Sequence, residues 1–248
     1  MTADAPTILA TSGGYRYGTR IRLEFNALVH HAVDLAGVTG HSPRICVVGT
    51  ASGDQQFFSN WVREAGRVAG FEVSTLDLFP MPNVPDIAEH LLAQDVIWVN
   101  GGSVANLLAV WDVHGLRPNI RAAWEAGVVL SGVSAGSICW YAGGTTDSFG
   151  PDLRVVTNGL ALLPYGNGVH YDSEAGRRPK VHELVTGGTL PTTHCTDDGV
   201  RLVYRGTQLI EAVSEVDGAQ AYVVSRGLDG AHEDVIAPRR LPEPPSGR

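Results

Sequence analysis

Apolar and polar positions along the first 140 residues follow two alternating patterns. Short apolar runs rich in β-branched residues predict buried strands at residues 7–11, 44–50, 71–79 and 95–99 and in the run that begins at Gly127. Segments with apolar residues at helical spacing predict helices at residues 22–36, 55–69, 87–92, 106–113 and 118–126. Strands that alternate with helices form a mostly parallel sheet covered on both faces. The pattern therefore predicts an α/β protein, built as a three-layer α/β/α sandwich.

The pattern of predicted elements changes after about Gly143, where the predicted loops are longer and the predicted strands shorter. A brief helix is predicted at residues 180–186, and the runs at 201–204, 208–213 and 219–224 predict a C-terminal β-meander. Nothing in between has the composition of a linker, so we expect one catalytic domain over residues 7–237. Residues 1–6 are expected to form a short tail, and the Pro-rich residues 238–248 a disordered one.

The most informative stretch is Gly132-Val133-Ser134-Ala135-Gly136, which links an apolar strand to a small-residue helix. This Gly-x-Ser-x-Gly pattern between a strand and a helix is typical of a nucleophile elbow, with the serine exposed at the tip of a sharp turn. Free backbone N–H groups at the start of the helix can stabilise an oxyanion. The alternative is an ordinary tight connection. We interpret Ser134 as the nucleophile of a serine hydrolase.

Composition and charge narrow the remaining classes of function. The net charge of −8 argues against nonspecific binding to nucleic acid or to an anionic membrane surface. Lys180 is the only lysine, so we expect arginine side chains to bind any carboxylate group of a substrate. The widely spaced Cys46, Cys139 and Cys195 suit a reducing compartment rather than a disulfide framework. With no secretory signal and no membrane-spanning stretch in view, we expect a cytoplasmic protein. No metal-binding or nucleotide-binding motif is present in the sequence, so no metal or cofactor is expected.

A serine nucleophile needs a base and a group that orients the base. His170 is the preferred base because it lies in a polar, turn-rich loop after the elbow, whereas His232 is a second option in what reads as a solvated turn. The histidines before the elbow occur in helical or surface contexts: His30, His31, His41, His90 and His114. The sequence leaves the orienting carboxylate open among five residues: Asp147, Asp172, Glu174, Asp197 and Asp198.

An oxyanion hole needs a second backbone donor beside that of Ala135. Gly101 and Gly102 follow a predicted strand and allow close approach of the backbone to a substrate. We expect these two residues to complete the hole, although an ordinary strand-to-helix turn has the same composition.

Seven short stretches in this order resemble the peptidase E and cyanophycinase family of serine peptidases. They are ATSGG at 10–14, GTASGD at 49–54, NGG at 100–102, GVSAG at 132–136, GGTTDSF at 143–149, HYDSE at 170–174 and TDDG at 196–199. The resemblance spans about residues 7–226 and implies a flavodoxin-like fold related to class I glutamine amidotransferases.

The resemblance also implies roles for individual residues. It makes Ser134 the nucleophile, His170 the general base, and Gly101, Gly102 and Ala135 the oxyanion hole. Members of the family differ in the third catalytic residue; Asp198 matches one branch and is preferred, with Asp147, matching peptidase E itself, as the alternative.

Two features bear on the substrate. Ser103 stands where the family usually has asparagine, so we expect it near the substrate, and the elbow continues as in a branch distinct from peptidase E. Arg177 and Arg178 lie near the position at which members of the family carry an arginine that binds the N-terminal aspartate of the substrate. The expected substrate is a short peptide, cleaved by a dipeptidase-type exopeptidase.

Several alternatives stay open: a cyanophycinase-like hydrolase of β-aspartyl-arginine peptides, an esterase that uses His232, and a non-catalytic binding protein on the same scaffold. A homodimer is also left open.

Overall fold

Eight strands form the large sheet at the centre of the molecule. The computed structural model describes residues 3–244. The strands of this sheet are β1 Thr7–Thr11, β4 Arg44–Val48, β5 Glu72–Leu76, β6 Val96–Val99, β7 Val129–Val133, β12 Val200–Arg205, β13 Gln208–Ser214 and β16 Arg239–Arg240. Their order across the sheet is β16-β13-β12-β1-β7-β6-β4-β5. The neighbours β1, β7, β6, β4 and β5 are parallel, whereas β12 is antiparallel to both β1 and β13.

The helices are α1 Ala27–Ala36, α2 Gln56–Ala69, α3 Ile87–Leu92, α4 Val104–Val113, α5 Leu116–Glu125, α6 Ala135–Ile138 and α7 Arg177–Thr186, with a 3-10 turn at Thr50–Ser52. Side chains alternate between the two faces of the sheet, as on β4, where Ile45 and Val47 face one core and Cys46 and Val48 the other. Helices α1 and α2 cover the first face, and α4 and α5 cover the second. The predicted α/β fold with a large, mostly parallel sheet is confirmed.

Six strands form a second sheet: β8 Tyr141–Thr146, β9 Arg154–Val156, β10 Leu163–Gly168, β11 Thr193–Thr196, β14 Ala221–Gly227 and β15 Gly230–Ile236. Their order across the sheet is β15-β14-β11-β10-β8-β9. A separate small hairpin pairs β2 Tyr15–Arg16 with β3 Glu24–Phe25. Tyr141 and Leu163 of this sheet belong to the same core as α4 and α5. Helix α7 packs on β14 and β15.

The predicted C-terminal β-meander is wrong. Strands β12 and β13 pair with each other in the large sheet, but β14 pairs with β11 and β15 in the second sheet. Residues 230–236 form a strand where the sequence suggested a solvated turn. Alternation of apolar residues predicts that a segment is extended, but it carries no information about which strand becomes its neighbour.

Parts of both segments predicted as tails contact the domain. Arg239 and Arg240 pair with β13, and Leu241 is buried in the core, so the segment after Pro238 is held by hydrogen bonds and apolar contact. The last four residues, 245–248, lie outside the described residues. At the other end, Ala3 N–H donates to the carbonyl of Gly127, while residues 1 and 2 lie outside the described part.

Within residues 3–244, no helix combines the length and the apolar character needed to cross a membrane.

Candidate active site

Ser134 occupies a strained backbone conformation at the junction of β7 and α6. Its φ and ψ angles are 57° and −114°, which a non-glycine residue adopts only when its surroundings hold it there. The N–H of Ser134 donates to the carbonyl of Thr11 at the end of β1, at 3.1 Å. Ser134 therefore lies in a strained turn between a strand and a helix, at the carboxyl edge of the parallel sheet.

The glycines on either side of Ser134 let α6 pass directly over the sheet. A Cβ atom on Gly136 would overlap the carbonyl of Val99 on β6, and one on Gly132 would overlap the carbonyl of Gly136. No side chain fits at either position. The two glycines of the pattern Gly-x-Ser-x-Gly are therefore required because the backbone of α6 lies in direct contact with the backbones of β6 and β7.

Gly101 and Gly102 lie beside Ser134. A Cβ atom on Gly101 would be 3.3 Å from the Cβ and 3.9 Å from the Oγ of Ser134. Gly102 has a φ of 138° and packs against the carbonyl of Ala51, so a side chain is excluded at this second position. Within residues 3–244, the N–H groups of Gly101, Gly102 and Ala135 donate no hydrogen bond to another part of the protein.

His170 and Asp198 form a close pair of titratable side chains, on the loops that follow β10 and precede β12. The Nδ1 atom of His170 lies 2.5 Å from Oδ1 of Asp198, and the two side chains are 25% and 48% exposed. A proton on Nδ1 that is donated to the carboxylate leaves Nε2 as the basic nitrogen of the ring. The N–H of Asp198 donates to Oδ1 of Asp172 at 2.9 Å, which fixes the loop that carries the carboxylate.

The other carboxylates left open by the sequence have different partners. Asp147 lies exposed in the turn after β8. Asp197 is buried, its carboxylate accepts from the N–H of Gln220 and the hydroxyl of Tyr222, and burial raises its pKa. Glu174 pairs with Arg177 at 2.5 Å. Of these candidates, the structure brings Asp198 to His170.

His232, the alternative base, lies on β15. Its side chain is 68% exposed and its Nε2 is 3.1 Å from Asp234 of the same strand. The neighbouring carboxylate and the exposure are those of a surface histidine, and no contact joins His232 to the elbow.

Three residues expected to contact substrate have other contacts in this structure. Ser103 is the N-cap of α4, and its Oγ accepts from the N–H of Asn106 at 3.2 Å. The guanidinium of Arg177, with 2% of its side chain exposed, donates to Thr145 and to Glu174. The charge of Arg177 is therefore buried among these acceptors.

Arg178 belongs to a cluster around Glu233 that sequence reasoning missed. The Glu233 carboxylate accepts from the Tyr171 hydroxyl at 2.7 Å, from Arg178 at 2.7 Å and from His182 at 2.9 Å. Burial acts to raise the pKa of Glu233, but the hydrogen bonds from His182 and Tyr171 and the charge of Arg178 hold it below its ordinary value. The Arg178 guanidinium also lies over the rings of Tyr171 and Tyr222, at 4.7 and 4.6 Å. No local motif marks Glu233, since its partners come from α7 and the loop before it.

A shallow, uncharged groove adjoins the Gly101–Gly102 turn. It is lined by the 3-10 turn, by Phe79 and by the exposed face of α4 with Asn106, Ala109 and Val110. Ala51, which contacts Gly102, forms part of its wall. Within residues 3–244, no cluster of three or more His, Cys, Asp or Glu residues is arranged to hold a metal ion.

The chain matches known proteins over most of its length. Residues 9–212 match peptidase family S51. The chain belongs to this family. It is 40% identical over 182 residues to the uncharacterized peptidase YgaJ of Bacillus subtilis (strain 168), which covers 73% of this chain and 78% of YgaJ. This S51 protein is accordingly a hydrolase of the serine-peptidase type, as the resemblance to peptidase E implied.

Two solved structures share the fold of this S51 peptidase. A peptidase from an acI-B1 actinobacterium superposes with a TM-score of 0.68 at 17% identity and covers 94% of this chain and 97% of its own. A putative peptidase E protein from Listeria monocytogenes EGD-e gives a TM-score of 0.59 at 17% identity, over 84% and 98% of the two chains. At these identities the similarity concerns the fold, which is that of peptidase E.

Proposed function

We propose that this S51 peptidase hydrolyses short peptides through an acyl-enzyme on Ser134, with His170 as general base and Asp198 as the residue that orients it. The observation that carries the proposal is the 2.5 Å contact between His170 and Asp198, on the side of β1 opposite to the Gly101–Gly102 turn. Ser134 lies between them at a strained elbow.

The chemistry follows from these positions. His170 Nε2 takes the proton of the Ser134 hydroxyl as the oxygen attacks the peptide carbonyl carbon. The negative charge that develops on the carbonyl oxygen is bound by the N–H groups of Gly101, Gly102 and Ala135. The protonated His170 then gives its proton to the leaving amine, the C–N bond breaks, and water hydrolyses the ester. Asp198 stabilises the imidazolium that forms twice in this cycle.

The preorganised N–H groups supply a large share of the rate. Removal of one oxyanion donor in a serine peptidase typically lowers kcat by about 100- to 1,000-fold. Glycine is required at 102, because a Cβ atom there would overlap the carbonyl of Ala51, and this close packing supports the turn that carries two of the three donors.

The proposed substrate is a dipeptide or another short peptide, with an N-terminal Asp as the residue to test first. Arg178 supports this choice because its side chain is 43% exposed and it contacts the ring of Tyr171, next to His170. Glu233 competes for the same guanidinium, so a substrate carboxylate has to share Arg178 with it. The groove beside Gly102 is uncharged and suits the neutral part of a peptide. We further propose that the protein works in the cytoplasm.

Hydrolysis of a dipeptide panel by purified wild-type protein and by Ser134→Ala tests the proposal. The panel pairs Asp-Ala with Asn-Ala and Leu-Ala, and it includes β-Asp-Arg to test the cyanophycinase-like alternative. We expect turnover by the wild type and none by Ser134→Ala. Equal turnover by both proteins would refute the mechanism, and turnover of β-Asp-Arg alone would replace the proposed substrate class.

A further inference from the structure

Three loops of the proposed site meet at two adjacent residues, Thr11 and Ser12, at the end of β1. The Thr11 carbonyl accepts from the N–H of Ser134, at 3.1 Å. The Ser12 carbonyl accepts from the N–H of Gly199, directly after Asp198, also at 3.1 Å. These are backbone contacts, which any residue type at positions 11 and 12 would make.

The Ser12 side chain makes the third connection, and this one depends on its hydroxyl. Ser12 Oγ accepts from the N–H of His170 at 3.1 Å. The same oxygen lies 2.7 Å from Oγ1 and 3.2 Å from the carbonyl of Thr196, so its own proton has an acceptor on β11. Ser12 is 4% exposed and has no access to substrate.

His170 needs such an anchor because its backbone is strained. Its φ is 52°, in the left-handed region that a histidine rarely occupies. The N–H of Tyr171 donates to the Thr196 carbonyl, so the Ser12 and Thr196 pair holds two consecutive residues of the histidine loop. A change of φ at position 170 would swing the imidazole away from Asp198 and Ser134.

We propose that Ser12 is a positioning residue for the general base: its buried hydroxyl holds the backbone of His170 in the conformation that aims the ring at Ser134. This inference rests on the proposed function. Ser12 touches neither substrate nor reacting atoms, so its loss acts through the placement of His170.

A purely structural role for Ser12 predicts a different set of results. Ser131 on the neighbouring strand β7 is the control, because it is also a buried serine whose Oγ donates to a backbone carbonyl of β1, that of Leu9 at 3.3 Å. Its Oγ also accepts from the buried guanidinium of Arg201 at 3.4 Å, so Ser131→Ala gives an upper limit for the structural effect of losing a buried hydroxyl from this sheet. Ser131 makes no contact with the histidine loop. The variant Ser131→Ala therefore measures how far kcat changes when a buried serine hydroxyl is removed from the same sheet without disturbing the histidine loop.

The test compares Ser12→Ala with Ser131→Ala and with Ser12→Thr, which keeps the hydroxyl. We expect Ser12→Ala to lower kcat by about 10- to 100-fold with KM within about twofold, as for a misplaced catalytic group. Ser131→Ala is expected to keep kcat within about twofold, and Ser12→Thr to recover most of the loss. The low-field proton resonance of the His170–Asp198 hydrogen bond is expected to weaken or move in Ser12→Ala and to persist in Ser131→Ala. If Ser12→Ala does not fold, Ser12→Cys carries the same comparison, because sulfur is a weak acceptor.

Two outcomes overturn the inference. One is a Ser12→Ala protein with wild-type kcat and an unchanged low-field resonance. The other is an equal loss of kcat in Ser12→Ala and Ser131→Ala, which would assign the effect to the sheet. Failure of the proposed function is recognised separately, because then Ser134→Ala would retain the activity of the wild type.

Discussion

His170 Nδ1 and Asp198 Oδ1 lie 2.5 Å apart although the two residues are 28 positions apart in the chain. His170 follows a strand of the second sheet, whereas Asp198 precedes a strand of the large sheet. The pair therefore forms only where the two sheets meet. Because Asp172 accepts from the N–H of Asp198, the histidine loop also positions the backbone of its own carboxylate partner.

Replacement of Asp198 by Asn is expected to lower kcat by about 100- to 10,000-fold. The amide retains the size of the carboxylate but can hold the imidazole in the wrong tautomer, and it does not stabilise the imidazolium. The measurement is steady-state hydrolysis of the best substrate of the dipeptide panel.

Asp147→Asn is the matched control for this prediction, since Asp147 was the alternative third residue and lies exposed in a turn. It should leave kcat within about twofold of the wild type. A larger loss for Asp147→Asn than for Asp198→Asn would reverse the assignment.

Gly136→Ala is expected to destabilise the protein by about 3 kcal/mol or more, because the added methyl overlaps the Val99 carbonyl and backbone cannot yield as a side chain can. Gly176→Ala provides the comparison: Gly176 has ordinary helical angles, and its added methyl would meet Leu153 at 3.5 Å. That change should alter stability by about 0.5 kcal/mol or less. Urea denaturation monitored by tryptophan fluorescence measures both. Similar midpoints for the two variants would contradict the packing described for α6.

Arg177→Ala is expected to lower the free energy of unfolding by about 3 kcal/mol, because Thr145 and Glu174 lose the buried guanidinium that they contact. Arg178→Ala should cost about 1–2 kcal/mol, since that side chain is 43% exposed. Thermal unfolding of both variants, together with their KM for Asp-Ala, distinguishes a stabilising role from a substrate-binding role for each arginine. An Arg177→Ala protein with wild-type stability and a raised KM would show that Arg177 reads the substrate.

Stability is expected to fall as the pH decreases from about 6.5 to about 4, in part because of His194. Burial lowers the pKa of His194 from 6.5 to about 4, and its ring stacks on the rings of Tyr165 and Tyr204, at centroid distances of 4.3 and 5.9 Å. Between these pH values the unfolded chain binds the proton and the folded protein does not, so acid favours unfolding, by up to about 1.4 kcal/mol per pH unit. His31, whose pKa burial also lowers to about 4, acts in the same direction.

The variant His194→Gln isolates this contribution. Its free energy of unfolding should depend less steeply on pH between 4 and 6.5 than that of the wild type, as measured by urea denaturation at several pH values. The exposed His232 supplies the control, and His232→Gln should keep the slope of the wild type. Identical slopes for all three proteins would show that the pKa of His194 is the same in the folded and unfolded protein, and would contradict its lowering by burial.

Local signals in the sequence predict much of the large sheet and the elbow. Helix α3 and strand β1 have the predicted bounds, since the local pattern of apolar residues is enough to mark both segments. The elbow is predictable because steric exclusion at Gly132 and Gly136 demands a specific residue type at fixed spacing around Ser134.

Features that depend on distant partners are not predictable in this way. The sequence does not reveal that β14 leaves β13 for another sheet, because the alternating pattern of a strand suits any neighbour. The burial of Arg177 is equally hidden, since it depends on the Thr145 carbonyl, which is available only after β8 and α7 pack together. For the same reason, the residues alone left five carboxylates open, and the three-dimensional contact brings Asp198 to His170.

The central claim is that Ser134 is the nucleophile, and intact-mass analysis of protein treated with a fluorophosphonate tests it most directly. The account predicts one covalent adduct on the wild-type protein, mapped by peptide digestion to Ser134, and none on Ser134→Ala. An adduct of equal yield on Ser134→Ala, or peptide hydrolysis by that variant at the wild-type rate, would contradict it.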